Sequence, residues 1–291
     1  MTVYPFIIHI PFCLGIPGVF CIDEITGYGI MMLVAFFMGG WAMKLELRRR
    51  HLNEEYATDI MIAAMIGGIL GAKLWYVALT GEPRALLSRG GLVWYGGFLG
   101  GTAAVLLNGW WKRIPTRFTL ELAAPALALG YCLGRVGCFL VNDDYGIPTN
   151  LPWAMKFPYG LPPSTVENLR AMNAPVPADG LPGQVLAVHP TQLYEVTAMF
   201  VVFWLLWRLR NHRHATGWLF ALYLLFAGME RFLVELVRAK DDRLIGALSL
   251  AQVTSILLVA GGLYLLRRWD LPEQQPLPMG PALKPPEPLK A

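Results

Sequence analysis

Charged residues are scarce in this chain. They make up 15% of its 291 residues, against ~25% in an ordinary soluble domain, and that scarcity excludes a water-soluble fold. No basic tract with interleaved aromatics occurs, which removes nucleic acid from the partners. Four cysteines, Cys13, Cys21, Cys132 and Cys138, form no CxxC pair, and the five histidines do not join them at ligand spacing, so no metal is expected. A disulfide between Cys13 and Cys21 is open to them on an oxidising side. There is no phosphate-binding glycine loop, no dinucleotide fingerprint and no G-x-S-x-G elbow, and therefore no cofactor is expected. The absence of an internal repeat disfavours an inverted-repeat transporter. The first twenty residues lack a basic segment and carry Pro5, Pro11 and Pro17, which makes a poor cleavable signal peptide.

Apolar residues are plentiful, at 55%, with a mean hydropathy of +0.47. They fall into blocks of the length that crosses a ~30 Å hydrocarbon core. Seven such blocks cover about residues 27–45, 57–79, 91–111, 118–141, 190–209, 217–237 and 249–266. The expectation is an all-α polytopic integral membrane protein with about seven transmembrane helices. Residues 1–268 would form one domain. Within it, 142–188 contains eight prolines and reads as an extramembrane loop, while the proline-rich tail 269–291 reads as disordered. One set of links carries fourteen Lys and Arg and the other seven. The positive-inside rule then puts the N-terminus outside, the C-terminus inside and loop 142–188 on the outer face. Spacings such as Gly67 to Gly71 and Gly96 to Gly100 predict close small-xxx-small helix contacts.

Ionisable groups within apolar spans are costly, roughly 2.5 to 3.5 kcal/mol for an arginine on insertion scales, and mark candidate sites. The most telling stretch is LGRVGCFLVNDDYG at 133–146, with Arg135 near the end of a span and Asp143 and Asp144 just after it. In GMERFLVELVR, Arg231 and Glu235 stand at i, i+4 on one helix face, with Arg238 a turn further on. This spacing fits a self-neutralising ion pair. It equally fits Arg231 and Arg135 facing each other to hold an anion, for which two planar guanidinium forks suit a phosphate. HPTQLYE at 189–195 opens the fifth span and brings His189, Gln192, Tyr194 and Glu195 to the same outer edge. Tyr28 begins the first span, and Tyr95 lies in a glycine-rich block.

GRVGCFLVNDDYG resembles the signature GRxGNFxNxExxG of the bacterial prolipoprotein diacylglyceryl transferases. HPTQLYE is similar to that family's HPxQLYE, and GMERFLVELVR to its GxxRFxxExxR. Tyr28-Gly29, GGLVWYGGFLGG at 90–101, LPWAMKFP at 151–158 and LSLAQ at 248–252 resemble further family blocks in order. The resemblance implies a seven-span bacterial inner-membrane enzyme with its active site toward the outer leaflet. Such an enzyme moves the diacylglyceryl group of phosphatidylglycerol to the lipobox cysteine of a prolipoprotein signal peptide, releasing glycerol phosphate. It implies catalytic roles for Arg135, Arg231, Tyr95, Asp143 and Glu235. Substrate-binding roles fall to Tyr28, Gly134, Cys138, Gly146, His189, Gln192, Tyr194 and Glu195. Tyr95 stands where the family commonly has histidine, Cys138 and Val141 where the signature has asparagine, and Asp143 where it has glutamate. The proton of the attacking thiol could go to Asp143, Glu235 or the phosphate. The alternative is a divergent homologue that binds phospholipid or lipoprotein without catalysis.

Overall fold

The computed structural model describes residues 1–13, 21–83, 86, 93–240, 243–245, 248–272 and 280–284, without the side chains of 9–13, 21–24 and 243–245. Among these residues the chain opens with a hairpin, β1 (Ile7–Cys13) and β2 (Cys21–Thr26). It continues through α1 (Gly27–Arg49), α2 (Glu55–Thr80), α3 (Trp94–Trp111) and α4 (Thr116–Val141). A region with β3 (Met155–Lys156), the short α5 (Val166–Ala171) and β4 (Ala187–Val188) leads to α6 (Thr191–Leu209) and α7 (Trp218–Glu235). A small ribbon, β5 (Arg243–Ile245) and β6 (Leu248–Ser249), precedes α8 (Leu250–Arg268). The Cys13–Cys21 disulfide option concerns side chains outside the described residues, as does the 90–92 end of the glycine-rich block.

This is an all-α polytopic membrane protein. Helices α1, α2, α4, α6 and α8 are long and apolar enough to cross a membrane. The third and sixth expected spans coincide with α3 and α7, each of 18 residues. Five glycines and three tryptophans lower the hydropathy of α3, and α7 carries Glu230, Arg231 and Glu235.

Local chemistry sets where the helices begin. Thr26 caps α1 by accepting from the Gly29 amide at 3.3 Å. In LSLAQ, Ser249 and Gln252 form a reciprocal capping box at the start of α8, with bonds of 3.1 and 3.0 Å. Packing then depends on glycine. A Cβ on Gly71 would lie 2.3 Å from the Gly96 carbonyl, and one on Gly100 2.4 Å from the Gly67 carbonyl, so α2 and α3 meet backbone to backbone. Helix α4 is central, packing against α1, α6 and α7.

Residues 142–188 form an ordered cap with a core of its own, built on Tyr145, Phe157, Leu169, Ala174 and Val188. The N-terminal residues strap it down, through Val3 N to Lys156 O at 3.0 Å and Phe6 N to Leu140 O at 2.7 Å. In the tail, Pro281–Leu283 forms a single 3₁₀ turn. Leu283 is fully buried among Met43, Leu47, Tyr56 and Phe118. Within the stretch read from the sequence as disordered, these residues therefore dock. Their apolar anchor is one leucine among prolines, too short a signal for periodicity to reveal.

Candidate active site

Helix α4 ends at Asn142, whose backbone is left-handed at φ 61°; Asp144 follows at φ 57°. Two left-handed residues so close turn the chain back over the helix end. They aim Asp144, rather than Asp143, at the arginines. Arg135 Nη1 donates to Asp144 Oδ2 at 2.8 Å, and Arg238 Nη2 donates to Asp144 Oδ1. The turn is fixed from outside: Thr191 Oγ1 donates to the Asp144 carbonyl at 2.6 Å and Gln192 Nε2 to the Asp143 carbonyl. Gly146 passes so close to the chain after α7 that a Cβ would meet the Val237 carbonyl at 2.4 Å. The ends of α4, α6 and α7 are thereby stitched together, with Gly146 N on His189 O at 2.8 Å and Ile147 N on Val237 O at 2.9 Å.

Beneath that turn lies Glu195 of α6, whose side chain has no solvent exposure. Arg135 Nε approaches its Oε2 at 3.0 Å and Arg231 Nη1 its Oε1 at 3.6 Å. Tyr131 donates to Glu195 Oε1 at 3.1 Å and accepts from Arg135 Nη2 at 3.4 Å. Arg231 also pairs with Glu235 at 2.8 Å, which confirms the i, i+4 geometry read from the sequence. Three guanidiniums, Arg135, Arg231 and Arg238, are thus balanced by Asp144, Glu195 and Glu235. The balance is not saturated in hydrogen bonds. Arg231 Nη1 is buried with no acceptor in bonding geometry among the described residues. A buried donor in that state is costly unless a ligand completes it.

Asp143 sits beside this network with its Oδ1 buried and unpartnered. Burial, and then the neighbouring Asp144 carboxylate, push its pKa up to about 6. Asp144 goes the other way: burial would raise it, but Arg238 and Arg135 hold it below the usual carboxylate range. Cys138, Asp143 and Asp144 place possible ligand atoms within 4.8 Å of one another. Both Asp144 oxygens are taken by guanidiniums, however, and the adjacent positive charge opposes a divalent cation.

The remaining sequence candidates divide into groups. Tyr28 packs on α4 next to Cys138, its ring carbon 3.3 Å from where a Cβ on Gly137 would stand. A Cβ on Gly134 would meet nothing within 4 Å, so space is open on that face of α4. Cys138 Sγ is 3.8 Å from Arg135 Nη1. From HPTQLYE, Gln192 and Glu195 point inward and are fully buried. His189 and Tyr194 lie on the other side of that turn and bond each other at 3.1 Å, while Trp153 Nε1 donates to the Tyr194 hydroxyl at 2.7 Å. Burial lowers the His189 pKa, so near neutral pH its ring is uncharged. Tyr95 lies in the first turn of α3, half exposed and edge-on to Trp94 at 5.2 Å. Asp144 and Arg238, ionisable candidates given no role from the sequence, join the network, as does Tyr131, which was not a candidate. The Asp-Asp doublet and the third arginine of GMERFLVELVR were signals for the first two. Tyr131 carried its signal only in its i, i+4 spacing from Arg135.

Fold and site together define a multi-pass membrane protein with a cluster of guanidiniums and carboxylates at one end of its helix bundle. The chain belongs to the prolipoprotein diacylglyceryl transferase family, whose model matches residues 17–268. It is 31% identical over 267 residues to the phosphatidylglycerol-prolipoprotein diacylglyceryl transferase of Nostoc sp. strain PCC 7120, covering 87% of this chain and 88% of that one. The same-named protein of Bordetella bronchiseptica is 32% identical over 82% of this chain and 89% of its own. That of Clostridium tetani is 30% identical over 83% and 92%.

Proposed function

We propose that this protein transfers the diacylglyceryl group of phosphatidylglycerol to the lipobox cysteine thiol of prolipoproteins, at the outer leaflet of the bacterial inner membrane. Family membership and the names of its relatives support the reaction. The observation that carries the site is the buried, unspent Arg231 Nη1, held next to Arg135 by their common partner Glu195. Guanidiniums stay charged at any working pH and present flat forks that match phosphate oxygens. The carboxylates Asp144, Glu195 and Glu235 hold those forks in place before substrate arrives.

Transfer of a diacylglyceryl group, rather than a phosphatidyl group, requires the thiol sulfur to form a bond to carbon while the carbon–oxygen bond to phosphate breaks. Glycerol phosphate leaves with the bonding pair. Negative charge therefore grows on the phosphate, where Arg135 and Arg231 would stabilise it. The thiol has an ordinary pKa near 8.5 and must shed its proton to attack. Asp143 is our choice of acceptor, because Glu235 is ion-paired with Arg231 at 2.8 Å whereas Asp143 forms no ion pair among the described residues. Gly134 and Tyr28 would border the space for the lipid, and His189 and Tyr194, at the start of α6 beside the cap, would meet the peptide.

The test is mass measurement of a lipobox peptide incubated with phosphatidylglycerol and the purified protein. The expected gain is one diacylglyceryl group. Arg231→Ala should lower the rate by about 10²- to 10³-fold, the scale for removing one charge-stabilising donor, while the protein stays folded. Wild-type rates in Arg231→Ala would remove the phosphate-holding assignment. No mass gain with folded wild-type protein would leave the lipid-binding homologue instead.

A further inference from the structure

The same helices that carry the site end, at their other extremity, in a second charged basin. Glu121 of α4 lies fourteen residues before Arg135, about 21 Å along the helix at 1.5 Å per residue. Beside it opens a cavity of about 330 Å³, lined by Arg49, Arg50, Arg210, Asn211, His212 and His214. None of these groups touches the network around Glu195.

The charges do not cancel. Three guanidiniums face two carboxylates, Glu46 and Glu121, and both carboxylates are already committed. Glu46 takes Arg49 Nε at 2.8 Å and Arg50 Nε at 2.5 Å. Glu121 accepts the amides of Gly217 and Leu219, the opening of α7, at 2.8 and 3.1 Å, and meets His212 Nε2 at 2.6 Å. Arg210 reaches Glu46 no closer than 3.9 Å, through Nε, and its guanidinium lies 4.0 Å over the Trp207 ring. Arg50 comes only to 3.9 Å of Glu121 by Nη2. The outer nitrogens of Arg50 and Arg210 thus have no hydrogen-bond acceptor among the described residues. His212 points the same way: its side chain is 8% exposed, and its Nδ1 is buried without a partner.

We propose that this cavity is a second anion site, distinct from the active site, that takes a phosphate group between Arg50 and Arg210. Two outward guanidinium forks give the bidentate geometry that phosphate oxygens prefer. His212 lines the same cavity, and its Nδ1 is without a hydrogen-bond partner among the described residues. At the end of a helix bundle that spans a membrane, such a phosphate has two sources: the head group of an anionic phospholipid, or a free phosphate from the water. Nothing in the transfer reaction uses this basin, so occupancy would anchor or stabilise the protein rather than drive the chemistry.

The experiment uses the full chain as wild type and as Arg50→Gln/Arg210→Gln. Native mass spectrometry counts retained lipids after exchange into micelles containing phosphatidylglycerol or phosphatidylcholine. In parallel, melting is followed with inorganic phosphate against chloride at equal ionic strength, in an Arg231→Ala background that disables the active site. Loss of one retained phosphatidylglycerol in the double variant assigns the site to a lipid head group. A phosphate-dependent rise in melting temperature that disappears in the double variant assigns it to free phosphate. Transfer activity is expected to be unchanged by the double substitution. An identical lipid count and an identical phosphate response in wild type and variant would overturn the proposal. Should the double variant not fold, Arg210→Gln alone takes its place with the same outcomes, since that side chain makes no ion pair shorter than 3.9 Å.

Discussion

Arg135 of α4 lies 3.0 Å from Glu195 of α6, and that carboxylate is wholly removed from solvent. An ion pair at such depth earns little net stability, because desolvation offsets most of the attraction. Its value lies in where it puts the guanidinium. Deleting one partner is a different matter, since it strands the other charge.

Glu195→Gln should therefore destabilise the fold by roughly 3 to 5 kcal/mol, the range for breaking a buried pair from one side. Chemical denaturation in detergent measures it. Glutamine keeps an oxygen for the Tyr131 hydroxyl, so the loss reports the charge. A midpoint equal to wild type would mean that Arg135 and Arg231 are held by other partners.

The pKa of Asp143, pushed up to about 6, gives a pH signature. As proton acceptor it must be ionised, so the transfer rate should rise with pH through about 6 and level off above it. Asp143→Asn should lower the plateau and flatten that limb. Stability runs the opposite way. A carboxyl whose folded pKa exceeds its unfolded value of ~3.9 binds its proton more tightly in the native state, so its contribution is full below ~4 and is lost as pH rises through about 6. Asp143→Asn should then be the more stable protein at pH 7. A rate profile without an inflection near 6 in wild type would remove Asp143 from the reaction.

Gly146→Ala probes the stitching of the helix ends. The new methyl would meet the Val237 carbonyl at 2.4 Å, one residue before Arg238. Overpacking of this kind costs about 1 to 3 kcal/mol. It should also pull Arg238 from Asp144, so activity should fall further than stability alone explains. Comparing rates at equal folded fraction separates the two effects.

Tyr95→Phe addresses the tyrosine of the glycine-rich block. Removing a positioned general base costs about 10²- to 10⁴-fold. Tyr95 is half exposed and edge-on to Trp94, and Asp143 is the acceptor proposed above, so the expected loss is far smaller. A decrease in the general-base range, in the same lipobox assay, would return Tyr95 to the chemistry.

Much of this was legible in the sequence. Apolar blocks of membrane length marked α1, α2, α4, α6 and α8, and the spacings of Gly67, Gly71, Gly96 and Gly100 foretold the α2–α3 contact. An arginine too costly to sit idle in a span led to Arg135 and Arg231. The choice between Asp143 and Asp144 was not legible, because two adjacent acids look alike until the left-handed turns at Asn142 and Asp144 decide which one faces inward. The order within residues 142–188 was hidden for a similar reason. Its core comes from single apolar residues spread among prolines, and the β3–β4 pairing is only two residues long. Tyr131 was passed over because an apolar span normally holds aromatics, and only the third dimension brings its hydroxyl to both Arg135 and Glu195.

The docking of Leu283 has a practical side. Its carrier turn rests on the α1–α2 link, through Asn53 N to Leu283 O at 3.1 Å, and on the α3–α4 link, where a Cβ on Gly280 would meet the Lys112 carbonyl at 2.5 Å. The folded body thus does not stop at the last hydrophobic helix. A protein trimmed at residue 272 would open the pocket that Leu283 fills, forfeiting about 1.5 to 3 kcal/mol of burial. One trimmed after residue 284 would keep it. For anyone preparing this enzyme for crystallisation or fusing a reporter to it, those two cut points bracket the choice.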